Sequence, residues 1–166
     1  VSDWWIHLLG VGGLSLLVPT TVLLASLRWG WTAFAEDYPA DVRARLPEPS
    51  RGEVRAGWVL GPLFLVTLLA ALLVTTATWP PASERFASAW LMAFGVTALF
   101  CLIDMVVVDW LVICAWRPSW VVVRGTEDAE GWGDYAFHLR AQLSVKGLAV
   151  LIVLPLLFAT IVYLLP

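Results

Sequence analysis

Residues 99–116 read LFCLIDMVVVDWLVICAW, and this stretch sets the terms for the whole chain. Apart from Asp104 and Asp109, every side chain in it belongs in lipid. An ionised carboxylate near the bilayer centre costs about 2.5–3.5 kcal/mol on insertion scales and more in simulations. The other apolar stretches exclude such groups, so these two acids are the first candidates for an ion relay or for polar contacts between helices.

Working outward, 60% of the 166 residues are hydrophobic and 14% are charged. Soluble domains carry roughly a quarter charged residues, so the composition is that of a membrane protein. Four segments reach the roughly 20 apolar residues that cross a bilayer core. They are 5–27, 57–79, 86–116 and 145–165, and only Lys146 brings a charge into the first, second or fourth. The expected fold is therefore a single all-α integral membrane domain over 1–166, with four transmembrane helices joined by connections at 28–56 and 117–144 and by a short hairpin, PPASER.

Nine of the ten basic residues lie in or beside the first and third connections; only Arg85 is in the second. The positive-inside bias makes those two connections cytoplasmic and puts both termini outside. The first segment does not read as a signal peptide. Val1-Ser2-Asp3 carries an acid and no base, and Arg28 follows the apolar run, the reverse of a basic leader. Cys101 and Cys114 are thirteen residues apart on one helix, about 20 Å, too far to pair.

Small residues mark expected packing faces: Gly10, Gly12 and Gly13 in span one, and Gly57-x-x-x-Gly61 at the start of span two. Tryptophans such as Trp5, Trp29, Trp31, Trp79 and Trp116 fall near span ends, as an aromatic belt requires. In the first connection Pro39 precedes a short helical pattern, DVRARL, with Asp37 as its cap. In the third, Trp120–Val123 is β-prone and Gly125 ends it. From Asp134 onward Tyr135, Leu139 and Leu143 fall at helical spacing, which predicts an amphipathic segment on the inner interface.

Span three, at 31 residues, is about 46 Å long if α-helical, so it tilts or extends beyond the lipid. Counted inward from Trp116, Asp109 is about 10 Å deep and Asp104 about 18 Å, near the midplane. Five α-helical residues turn through about 500°, so the two acids are expected to point some 140° apart. Asp104, isolated in lipid, is expected to be a neutral acid donating one hydrogen bond to a threonine or to a carbonyl freed by Pro19 or Pro155. Asp109 is expected to pair with Arg117 or Arg28. Asp134 and His138 stand four apart and are expected to meet on the interfacial helix beside Arg140, as a surface hydrogen bond or a headgroup contact. Arg117, Asp134, His138 and Arg140 thus form the candidate inner-face set.

No residue pattern supports a metal site, and catalytic residues are not identified. His7 and His138 fall near opposite surfaces, which argues against a bis-histidine haem, and no cofactor is implied. Nothing provides the basic patch that nucleic acid requires.

Three stretches, DYPADVRARLPEPS, LIDMVVVDWLVICAWRPSWVVVRGTE and GDYAFHLRAQLSVKG, resemble a family of uncharacterised four-span bacterial inner-membrane proteins. The resemblance implies four spans in a plasma membrane and no particular activity. It draws attention to Asp104, Asp109, Trp110, Arg117, Pro118, Gly125 and His138. Two function classes follow. One is a non-enzymatic accessory subunit that packs against itself or a larger membrane complex, with lipids around it. The other is a proton- or cation-linked transporter or channel using the aspartates, expected to be oligomeric. A lipid-acting enzyme ranks third.

Overall fold

The computed structural model describes residues 2–82 and 84–164. Ser83 of the short hairpin, Leu165 at the expected end of span four, and Val1 lie outside the described residues. Four helices are long and apolar enough to cross a membrane: α1 (Ser2–Trp29), α3 (Arg51–Ala77), α4 (Phe86–Trp116) and α6 (Val145–Leu164). The short helices α2 (Ala40–Arg43) and α5 (Tyr135–Gln142) belong to the two long connections. No strand occurs among the described residues.

α1 packs along α3, α4 packs along α6, and α3 joins the two pairs. At one end, the first and third connections fold against each other. The Asp41 carboxylate accepts the Gly131 N–H at 2.8 Å, and Tyr38 packs on Trp132 with ring centroids 5.4 Å apart. Trp132 is fully buried and donates to both Thr126 oxygens at 3.0 Å. At the opposite end His7 Nε2 lies 2.9 Å from the Thr75 carbonyl, and Phe86 meets Tyr163. Each end is thus closed by polar and aromatic contacts, while the middle is packed by Leu16, Leu72, Met92 and Val96.

α3 starts at Arg51, six residues before the expected Gly57, because Ser50 and Glu53 form a capping box. The Ser50 hydroxyl accepts from the Glu53 N–H, and the Glu53 carboxylate accepts from the Ser50 N–H at 2.7 Å. This satisfies donors that the helix start would leave unpaired. Pro62 therefore lies inside the helix, well beyond its first turn.

Several local expectations change. The β-prone run around Val121 is a series of turns, since no second strand occurs among the described residues to pair with it; Val121 and Val123 are buried in the core. Gly125 does take a left-handed backbone, φ +86°, which its missing Cβ allows. Asp37 does not cap α2, whose N-cap is Pro39 with no side-chain hydrogen bond. Trp31 is buried and donates to Glu53 at 3.0 Å, so it belongs to the core and not to a belt.

The expected packing glycines divide. A Cβ on Gly57 would collide with the Thr32 hydroxyl, and one on Gly61 would come 3.1 Å from Ala33. These glycines admit the backbone of the first connection, not another transmembrane helix. Gly10 and Gly13 have nothing close to them. The tight positions are instead Gly12, against Thr75, and Gly95, where a Cβ would come 2.7 Å from Trp4.

Substitution should separate these positions. Gly57→Ala overpacks the joint and is expected to cost about 1–3 kcal/mol, read as a lower thermal midpoint in detergent. Gly10→Ala should leave that midpoint unchanged or slightly higher. Equal effects at both sites would contradict the packing described.

Candidate functional site

The C-terminal part of α4 is not an α-helix. From Asp104 to Trp116 it follows the wider π register, in which each N–H bonds five residues back. The last such bond, Arg117 N–H to the Val112 carbonyl at 2.9 Å, has this spacing. The segment stops at Arg117, whose backbone is left-handed with φ 46° and ψ 56°. Pro118 has no N–H with which to continue the ladder. The Arg117 guanidinium folds back toward the Cys114 carbonyl at 3.4 Å and lies over Gly133, where a Cβ would come within 2.8 Å of it. Arg117 therefore serves the helix end and is not the partner of Asp109.

The register changes the direction of the two acids. In a ladder closed over five residues, residues five apart return to one face, so the expected 140° separation does not hold. Asp104, Val108, Asp109 and Ile113 line one cavity of about 290 Å³. The cavity lies between the end of α1, the middle of α3, the first connection, the π segment and α5. Asp37 and Tyr38 come from the first connection, and Phe137, His138 and Gln142 from α5.

His138 finds Asp109 there. Its Nδ1 lies 3.2 Å from Asp109 Oδ1, with both side chains largely shielded, 11% and 19% exposed. The expected Asp134–His138 contact gives way to this pair for a local reason. Asp134 is the N-cap of α5, accepting the Phe137 N–H at 2.9 Å, and its other oxygen takes Arg140 at 3.2 Å. Asp134 is thus engaged at the helix start, and the His138 ring turns inward to the carboxylate of α4. Arg140 stays exposed in its pair with Asp134.

Two polar atoms around the cavity have no hydrogen-bond partner among the described residues: His138 Nε2 and the Tyr38 hydroxyl. Tyr38 is only 6% exposed. Unpaired buried groups of this kind are uncommon, because leaving one without a partner costs about 1–3 kcal/mol. Asp104 likewise receives no protein hydrogen bond among the described residues, so the expected bond to a threonine or to a proline-freed carbonyl is not formed. It faces the cavity, and on its other side it borders a second, mostly apolar chamber of about 230 Å³ that includes Phe100, Leu154 and Thr97.

Chemically the site has three carboxylates and one imidazole, and no Lys or Arg lines it. With Nδ1 held by Asp109, His138 can accept a proton at Nε2 and have the resulting charge balanced by Asp109. Burial raises the Asp37 carboxyl above its ordinary 3.8; Lys146 pulls it down, Glu36 pushes it up, and Arg43 pulls it down. Among the described residues no group of three or more potential metal ligands is close enough to hold an ion.

Asp104, Asp109 and His138 were readable as candidates in the sequence. Asp37, Tyr38, Phe34, Phe64 and Gln142 were not, because only the folding of the first connection and α5 against α4 brings them there. No protein-family model, curated protein or solved structure matches this chain.

The Asp37 carboxyl supplies a test of the cavity wall. Its neutral form is favoured in the folded state, so it weakens the fold at pH 7, and this penalty fades as pH falls through its raised titration toward 3.8. Asp37→Asn should therefore raise the thermal midpoint at pH 7, by a margin that shrinks as pH falls and vanishes below 3.8. A margin that does not change with pH would place Asp37 in open water.

Proposed function

We propose that the protein is a proton- or cation-linked transporter or channel, with the acidic cavity as its binding station. The observation that carries this reading is the meeting of Asp104 and the Asp109–His138 pair on one cavity with Asp37, with no Lys or Arg lining it. An accessory role needs the intramembrane acids only as glue between helices. Asp104 has no such contact and instead faces a cavity, which is how acids on ion paths are usually disposed.

In this reading the inner end is cytoplasmic, because nine of ten basic residues belong to it. Both termini are then outside, and the resemblance noted in the sequence favours a bacterial plasma membrane. Asp37, beside the connections, receives the cation or proton. The His138–Asp109 pair passes it on, and Asp104 holds it deepest. Beyond the cavity, in the middle of the bundle, Leu16, Leu72, Met92 and Val96 are buried in one cluster. A complete path therefore requires a second copy or a movement of α4 against α6.

A second reading, a subunit packing against its own copies or a larger complex, draws on one observation. A groove lined by Phe34, Gly57, Trp58, Gly61 and Leu65 opens on the surface beside the first half of α3. Tyr135, Leu139 and Leu143, exposed on or just after α5, fit the inner interface in either reading, with lipid headgroups as their neighbours.

Reconstitution in liposomes tests the first reading. Wild-type protein should conduct protons or a monovalent cation down an imposed gradient, and Asp104→Asn should abolish that flux while leaving the helical content unchanged. Flux no greater than in protein-free liposomes, or flux unaffected by Asp104→Asn, would contradict the assignment.

A further inference from the structure

We propose that the cavity and the apolar chamber beside it form one binding site for an amphipathic organic ammonium ion, with the charged nitrogen among the carboxylates and the apolar tail in the chamber. This rests on the cation-handling reading above and names its cargo.

The two spaces share Phe64, Asp104 and Gln142 as walls. Together, about 290 and 230 Å³, they match the size range of small-molecule sites. Their chemistry differs sharply. The first holds Asp37, Asp104 and Asp109; the second, Asp104 and Gln142 apart, is lined mainly by groups such as Leu68, Leu72, Val150 and Leu154. A bare proton or metal ion has no use for the second chamber. A molecule with one charged end and one apolar end uses both, with Asp104 at the junction.

The head is an ammonium for three reasons. Three carboxylates demand positive charge. The rings of Phe34, Tyr38, Phe64 and Phe137 border the same cavity, and aromatic faces attract organic cations. The buried Tyr38 hydroxyl, unpaired among the described residues, can accept an N–H from such a head. A small inorganic cation would need several oxygens converging on one point, and no compact ligand group occurs among the described residues. A phospholipid headgroup bearing an ammonium also carries a phosphate, which the three acids would repel. The basic groups nearby are His138, which is paired with Asp109, Lys146, which acts on Asp37 from the start of α6, and Arg43, which is paired with Glu36.

The probe is 4-phenylbutylammonium, titrated calorimetrically into the full-length protein in a neutral detergent. Its neutral and anionic counterparts, 4-phenylbutanol and 4-phenylbutanoate, serve as controls. The amine should saturate one site per chain, and neither control should bind. Asp104→Asn, close in shape to the native residue, should weaken the amine at least tenfold. Leu154→Trp, which fills the apolar chamber, should weaken 4-phenylbutylammonium but leave methylammonium unaffected. Absence of saturable amine binding by folded wild-type protein that still conducts protons or potassium would overturn the cargo and spare the cation-handling reading. Saturable binding with no flux of any cation would support the site and reject transport. Displacement of the amine by phosphatidylethanolamine in the same micelles would assign the head to a lipid and overturn the free amine.

Discussion

The arrangement depends on the cost of turning a carboxylate toward hydrocarbon. An α-helical α4 would place Asp104 and Asp109 on faces about 140° apart, and with α3 and α6 on one side, one acid would look into lipid. The π register of Asp104–Trp116 brings them to the same face. A wider helix packs its backbone less well, which is why π turns are rare and concentrate at functional sites. Here the alternative is an exposed acid, costing several kcal/mol. The wider register is the less costly arrangement.

Once both acids face the cavity, the rest of that end of the molecule follows. His138 is drawn from α5 to Asp109, so α5 lies against α4. The N-cap of α5 holds Asp134 away from His138, which leaves the ring free to turn. Arg117 ends the π segment in a left-handed backbone and covers Gly133. The Asp41–Gly131 hydrogen bond and buried Trp132 then tie the first connection to the third. Tying them together places Asp37 and Tyr38 on the cavity wall.

Much of this fold was legible in the sequence. Composition and segment length alone locate the four spans, since uninterrupted apolar runs have few other uses. The Ser50–Glu53 box was present in the letters and marks the true start of α3, but the hydropathy pattern begins later and hides it. The π register left no such trace. Asp104 and Asp109 lie in a segment apolar on all sides, so no stripe of polar residues records which way it winds. The site was half legible: a buried acid announces itself, whereas His138 offered a nearby sequence partner in Asp134 that the helix cap had already engaged. Asp37 and Tyr38 looked like ordinary connector residues, because their burial depends on contacts with the distant third connection.

The pairing of α4 with α5 is the claim on which the cavity stands. Solid-state NMR of the protein in lipid bilayers, with carboxyl-13C aspartate and ring-15N histidine, measures it directly. The account predicts strong dipolar coupling between the Asp109 carboxyl carbon and His138 Nδ1, as their 3.2 Å oxygen–nitrogen contact requires, and none between His138 and Asp134. Coupling of His138 to Asp134 with Asp109 silent would contradict it.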